Sequence, residues 1–158
     1  MRAVFTQRAE SAVTRGAAYA RNRAIESATG QYLCLLDADD VMMPRRVEAQ
    51  LAVARTRHTT LVGSKFKRLP ADATPRYSAW LNNMSQDELW THRYRENTLI
   101  QPTFFMHRAV FDRAGPYEEN GRTSTWLYSI LRARCTQYSS SQCRISANDD
   151  VQSICACK

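Results

Sequence analysis

With 158 residues the chain has room for one domain, taking roughly 100–200 residues per domain. Its 44% hydrophobic, 23% charged and 9% aromatic residues exclude wholesale disorder and a collagen-like chain, and no apolar run approaches the ~20 residues that span a bilayer. A net charge of +7, from 22 Lys and Arg against 15 Asp and Glu, favours anionic partners: nucleotides, phosphosugars, nucleic acid or an acidic membrane surface. Of the five cysteines, Cys135, Cys143, Cys155 and Cys157 crowd the last stretch and Cys34 stands alone, which is no disulfide framework for the whole chain. Residues 1–13 lack the apolar core of a signal peptide. Arg2, Arg8, Arg15, Arg21 and Arg23 have the spacing of a mitochondrial presequence but run straight into a patterned segment, so the expected compartment is the cytoplasm.

From Thr14 to Thr29, Ala17, Ala20, Ala24 and Ala28 recur at three- and four-residue steps beside Ile25, predicting an amphipathic helix closed by Gly30. Tyr32–Leu36 is apolar on both alternating faces and reads as a central strand of a mostly parallel sheet covered by helices. Pro44 is placed to open a second helix, with Val47, Leu51 and Ala54 inward and Arg45, Arg46 and Arg55 outside. The β-branched run from Thr59 to Phe66 predicts another strand, with Gly63 marking a bulge or a close backbone approach.

Leu69 to Pro75 reads as a loop, and Ser85 with Glu88 as a capping box before a short helix near 86–94. Pro102 precedes a candidate strand at Thr103–Met106, then a short helix at Ala109–Ala114 ends at Gly115-Pro116. Residues 1–126 form the expected domain. Residues 127–158, with a serine run and no sustained period, read as a poorly ordered tail or a short appended helix at Leu127–Arg134.

Asp37, Asp39 and Asp40 follow directly on the buried strand, where the carboxyl end of an open sheet forms a ligand crevice. Three carboxylates in four residues repel one another unless a hard cation or hydrogen-bond donors offset the charge. Mg²⁺ or Mn²⁺ held by one or two of them and completed by phosphates satisfies that need. The simpler reading is an acidic turn, with Asp40 as N-cap of the helix at Pro44.

The order of Gly16…Ala20-Arg21-Asn22, Gly30-Gln31-Tyr32, Asp37-Ala38-Asp39-Asp40 and Met43-Pro44 resembles the family 2 glycosyltransferases of the GT-A fold. The later Pro102-Thr103-Phe104 and Gly115-Pro116-Tyr117-Glu118-Glu119 resemble the same family's acceptor-side segment. Pro75-Arg76-Tyr77 and Trp80–Asn82 bring the likeness nearest to β-1,3-N-acetylglucosaminyltransferase-like proteins. The resemblance implies a Rossmann-like α/β domain that transfers a sugar from a nucleotide donor, UDP-N-acetylglucosamine, to an acceptor hydroxyl with inversion. It assigns Asp39 to a divalent cation (Mn²⁺ or Mg²⁺), Asp40 to the metal's support, Asp37 to the nucleoside, and Arg21 and Asn22 to the nucleotide's surroundings.

Two departures stand out. The family's opening V-S-V-I-x-P-x-[YH]-N strand and its D-x-S turn have no match in Met1–Val13, so a domain lacking its first strands is expected. The E-D pair whose Asp acts as general base has no counterpart after Gly121, so no catalytic base is assigned. Glu118 and Glu119 belong to the preceding turn, and Asp149 and Asp150 to the unpatterned tail. A catalytically inactive fragment is therefore the nearest alternative. A nucleic-acid module, suggested by Lys65, Lys67, Arg68, Arg76, Tyr77 and Trp80, has no recognised motif behind it, and no nucleic-acid partner is expected. The tail cysteines do not match zinc spacing, and His58, His92 and His107 show no ligand spacing.

Overall fold

In a computed structural model the structure describes residues 15–119 except 57, 71 and 93–96, together with the backbone of residues 151–155. Helix α1 (Gly16–Ser27) leads to strand β1 (Tyr32–Cys34), α2 (Arg46–Ala54), β2 (Thr60–Ser64), α3 (Pro75–Asn82) and α4 (Gln86–His92). A 3₁₀ turn (Gln101–Thr103), β3 (Phe105–His107), α5 (Arg108–Ala114) and β4 (Val151–Cys155) complete the described elements. None of the described helices is long and apolar enough to cross a membrane.

The four strands lie in the order β1-β3-β2-β4, and every neighbouring pair is antiparallel. This corrects the expectation of a mostly parallel sheet. Strands β1 and β2, joined through α2, do run in the same direction, as a strand–helix–strand unit requires. They are not neighbours, because β3 inserts between them with Leu33 and Leu61 both opposite Met106 and with Cys34 and Val62 both opposite Phe105. The expected lack of first strands concerns residues 1–14, outside the described set. So does the expected helix at Leu127–Arg134. Within the segment read as a tail, Val151–Cys155 pairs with the whole of β2, from Thr60↔Cys155 to Ser64↔Val151.

Alternation along the strands builds two apolar layers. Leu33, Leu61 and Met106 join Ala18 and Ile25 of α1, Leu81, Leu89 and Val110 on one side of the sheet. Phe105 and Val62, with Tyr32 and Cys34, pack against Val47, Leu51, Val53 and Ala54 of α2 on the other. The inward stripe of α2 thus follows the predicted spacing, although the helix begins at Arg46, two residues past Pro44. Arg46 departs from its predicted outward position: it is half-buried, and its Nη2 donates to the Leu35 carbonyl at 2.8 Å and its Nε to Gln50 Oε1 at 2.9 Å. Gln50 is fully buried and donates from Nε2 to the carbonyls of Thr103 (2.7 Å) and Val62 (3.3 Å).

The C-terminus of α1 is closed differently from the sequence expectation. Gly30 does not adopt a left-handed φ; the helix ends at Ser27, and its last carbonyls are taken by Arg108. The Arg108 guanidinium donates to Gly30 O (3.1 Å), Ala28 O (2.5 Å) and Ile25 O (3.4 Å), an arginine substituting for a glycine cap. Gly115 does take the left-handed region, at φ 82°, where α5 ends. The capping box before α4 is present in both directions, with Ser85 N–H donating to Glu88 Oε2 (2.8 Å) and Glu88 N–H to Ser85 Oγ (3.2 Å). These hydrogen bonds hold the Glu88 carboxyl below its ordinary range. Helix α3, with Pro75 in its first turn, is an element the sequence reading did not assign.

Gly63 marks a close approach and not a bulge, because a Cβ there would lie 2.6 Å from Leu99 Cδ2 and 3.4 Å from Thr103 Oγ1. Leu99 is itself only 1% exposed and has little room to give. Gly63→Ala is expected to lower stability by about 1–3 kcal/mol, read as a lower urea midpoint with an unchanged slope; an unchanged midpoint would refute the close packing.

Candidate functional site

The acidic loop begins where β1 ends. Leu35 N–H still donates to Phe104 O at 2.8 Å, continuing the ladder one residue beyond the strand, and Asp40 N–H donates to Asp37 O at 3.1 Å to close a turn. Asp37 therefore sits at the rim of the sheet, followed by exposed Ala38, Asp39 and Asp40.

Asp37 is held by Arg21. Arg21 Nη2 donates to Asp37 Oδ1 at 2.9 Å and Oδ2 at 3.3 Å, while Nη1 donates to Gln101 Oε1 at 2.9 Å. The Arg21 side chain is 14% exposed and Asp37 37%, so the pair lies at the boundary between core and solvent. The guanidinium also stands over the Tyr117 ring, 5.8 Å from its centroid. Burial pushes the Tyr117 phenol above its ordinary pKa, opposed by the Arg21 charge and reinforced by Asp37.

The next residue on α1 does a different job. Asn22 is 3% exposed; its Oδ1 accepts from Tyr117 N–H at 2.9 Å, and its Nδ2 donates to Tyr117 O at 2.9 Å and to Glu119 Oε1 at 2.8 Å. One amide thus satisfies both backbone groups of a buried residue, as a neighbouring strand would. Consecutive residues of α1 consequently fix three segments: the acidic loop, the 3₁₀ turn that precedes β3, and the turn that follows α5.

The three acidic residues are not gathered into one knot. Among the described residues no three His, Cys, Asp or Glu side chains form a group able to hold a metal ion. The repulsion expected from the sequence is relieved instead by Arg21, which takes Asp37 out of the set. The Asp39 and Asp40 side chains make no hydrogen bond or salt bridge among the described residues. Two adjacent open carboxylates fit a Mg²⁺- or Mn²⁺-type ion completed by phosphate oxygens, and do not fit an all-protein cage.

Behind the loop, burial pulls the Arg46 guanidinium below its ordinary value, while the Cys34 thiol and the Asp40 carboxylate oppose the shift. An arginine remains charged in such a setting. Burial raises the Cys34 thiol in turn, opposed by the Arg46 charge. The sequence reading missed Gln101, Arg46 and Gln50; their polar side chains beside buried strands were the available signal. Asp149, Asp150 and the tail cysteines' side chains lie outside the described residues.

The arrangement is that of an α/β domain presenting an acidic loop at a strand's carboxyl end, the placement used by ligand-binding α/β enzymes. The sequence model of glycosyl transferase family 2 matches residues 10–115, about two thirds of the chain, and the chain belongs to that family. It is similar to the uncharacterized glycosyltransferase YibD of Escherichia coli K12, 25% identical over 140 residues that cover 78% of this chain and 41% of that protein. It is also similar to TuaG of Bacillus subtilis 168, named as a candidate teichuronic acid biosynthesis glycosyltransferase, 37% identical over 60 residues that cover 38% of this chain and 24% of TuaG. The chain therefore spans less than half the length of these relatives. No solved structure gives a significant match.

Asn22→Ala is expected to destabilise the domain by roughly 1–3 kcal/mol, since it removes the buried hydrogen bonds to the Tyr117 N–H and C=O. A thermal melt within about 2 °C of the wild-type midpoint would contradict this clamp.

Proposed function

We propose that this chain carries the donor-binding part of a glycosyltransferase that moves N-acetylglucosamine from UDP-N-acetylglucosamine to an acceptor hydroxyl, with inversion at the anomeric carbon. The observation that carries the reading is the division of labour in the acidic loop. Arg21 occupies Asp37, and Asp39 and Asp40 remain open at the sheet rim. Family membership supports the same chemistry.

In this reading the acceptor oxygen bonds to the anomeric carbon as the sugar–diphosphate bond breaks on the opposite face. The nucleoside diphosphate leaves with the electron pair, and the hydroxyl proton passes to a base. Asp39 would hold the divalent ion with support from Asp40, and the ion's contribution is to neutralise charge on the departing diphosphate. Asp37, oriented by Arg21 and Gln101, faces the nucleoside. Arg21 and Asn22 serve the donor as positioning residues, through Asp37 and through the Tyr117–Glu119 turn. A second reading, donor binding without turnover, is favoured by the commitment of Glu119 Oε1 to the Asn22 amide, which engages this carboxylate in holding the turn after α5.

Titration calorimetry with UDP-N-acetylglucosamine and Mn²⁺ tests the assignment. Asp39→Ala should weaken metal-dependent binding at least tenfold, about 1.4 kcal/mol, while the exposed Glu48→Gln leaves it unchanged. Equal heats for wild type and Asp39→Ala would sink the site. Arg21→Lys should also weaken donor binding, because a point charge cannot reach Asp37 and Gln101 through separate planar donors; unchanged affinity in a folded variant would remove Arg21 from its positioning role.

A further inference from the structure

Of the basic and aromatic residues between 65 and 80, which the donor site does not use, Phe66, Arg68, Tyr77 and Trp80 stand in contact with one another in a row. Strands β1 and β2 both run antiparallel to β3, so the chain leaves both of them at the same edge of the sheet. The acidic loop follows β1 at that edge, and Lys65–Arg68 follow β2. Helix α3 is fastened to this segment by Asn82, whose Oδ1 accepts from Phe66 N–H at 3.1 Å and whose Nδ2 donates to Phe66 O at 2.7 Å.

Tyr77 and Trp80, three apart on α3, share a helix face with ring centroids 5.9 Å apart, and His92 of α4 continues the row 6.2 Å beyond Trp80. Trp80 is 40% exposed, unusual for the largest apolar side chain. The Arg68 guanidinium lies 5.8 Å from the Phe66 centroid and 5.9 Å from that of Tyr77, so a cation is held at the end of the row. From 65 to 80 the sequence places Lys65, Lys67, Arg68 and Arg76 against Asp72 alone. These four cations form no salt bridge among the described residues.

We infer that this surface is the acceptor subsite and that its occupant is an acidic saccharide, a chain bearing carboxylates on its sugar rings. The inference rests on the glycosyl-transfer reading and deepens it by giving the acceptor's class. Exposed Trp80, flanked by half-buried Tyr77 and His92, suits the apolar C–H face of a pyranose, as it suits any flat amphipathic ring. The exposed cations beside it, which form no salt bridge among the described residues, suit a carboxylate, and Arg68, stacked on Phe66 and Tyr77, is the one best placed to recognise it. Its position on the edge that carries Asp39 favours an acceptor over a nucleic acid or a membrane, either of which requires only charge and aromatic area.

Calorimetry at low salt with a glucuronic-acid-containing hyaluronan hexasaccharide, and with its carboxyl-reduced neutral form, tests this. Wild type should bind the acidic form at least tenfold more tightly than the neutral one, with the preference falling in 0.5 M salt. Trp80→Ala and Arg68→Gln should each cost tenfold or more, and Trp80→Phe should retain most of the affinity, with circular dichroism confirming the fold of each. Failure of wild type to bind, equal binding of both forms, or undiminished binding by folded Trp80→Ala would overturn the inference. So would binding of anionic vesicles or of single-stranded RNA in place of the hexasaccharide. Donor heats with UDP-N-acetylglucosamine and Mn²⁺, measured in parallel on wild type, separate the two failures. Donor binding without saccharide binding rejects this subsite alone, and loss of donor binding rejects the reading beneath it.

Discussion

Two neighbouring side chains on α1 organise the rim of this domain. Arg21 ties the acidic loop to Gln101, and Asn22 ties the helix to both backbone groups of Tyr117 and to Glu119. Residues about 100° apart on a helix point in different directions, so this pair reaches separate loops without competing. The consequence for the acidic loop is electrostatic as well as geometric. Asp37 is paired with a partly buried guanidinium, while Asp39 and Asp40 stand open on an exposed turn.

The helix that carries the pair is itself anchored at its far end. Arg108, the first residue of α5, fills the carbonyls that α1 leaves free, and the Gln31 carbonyl accepts from its backbone N–H. On the opposite face of the sheet, Gln50 and Arg46 of α2 reach the carbonyls of Val62, Thr103 and Leu35. Of these, the Leu35 and Thr103 carbonyls lie beyond the ends of β1 and β3, where the short strands cannot pair them. A three-residue β1 and a three-residue β3 provide few ladder bonds. Side-chain amides and guanidiniums complete the work there.

The aromatic and basic surface at α3 belongs to the same edge. Strand direction alone brings it there, since β1 and β2 emerge together on either side of β3.

Local physics was legible in the sequence: the alanine-spaced α1, the stripe of α2, the capping box at Ser85, the left-handed Gly115 and the acidic turn after an apolar strand all follow from near-neighbour spacing. The close approach at Gly63 was visible as one of two alternatives. Helix α3 was not, because Pro75 and the preceding turn residues mask a short amphipathic segment whose main burial is Leu81. Long-range partners lay beyond the reach of spacing. The insertion of β3 between two codirectional strands turned an expected parallel sheet antiparallel. Gly30 lost its cap to Arg108, 78 residues away, and Asp37 gained Arg21 as its ion-pair partner. What the sequence by itself determined is which segments are helix, strand and acidic turn, since those follow from local sterics and periodic burial. Only the tertiary structure decided which carboxylate pairs with an arginine, which aromatic rings line up with a cation and which loops share a rim, because these depend on side chains that meet across many residues.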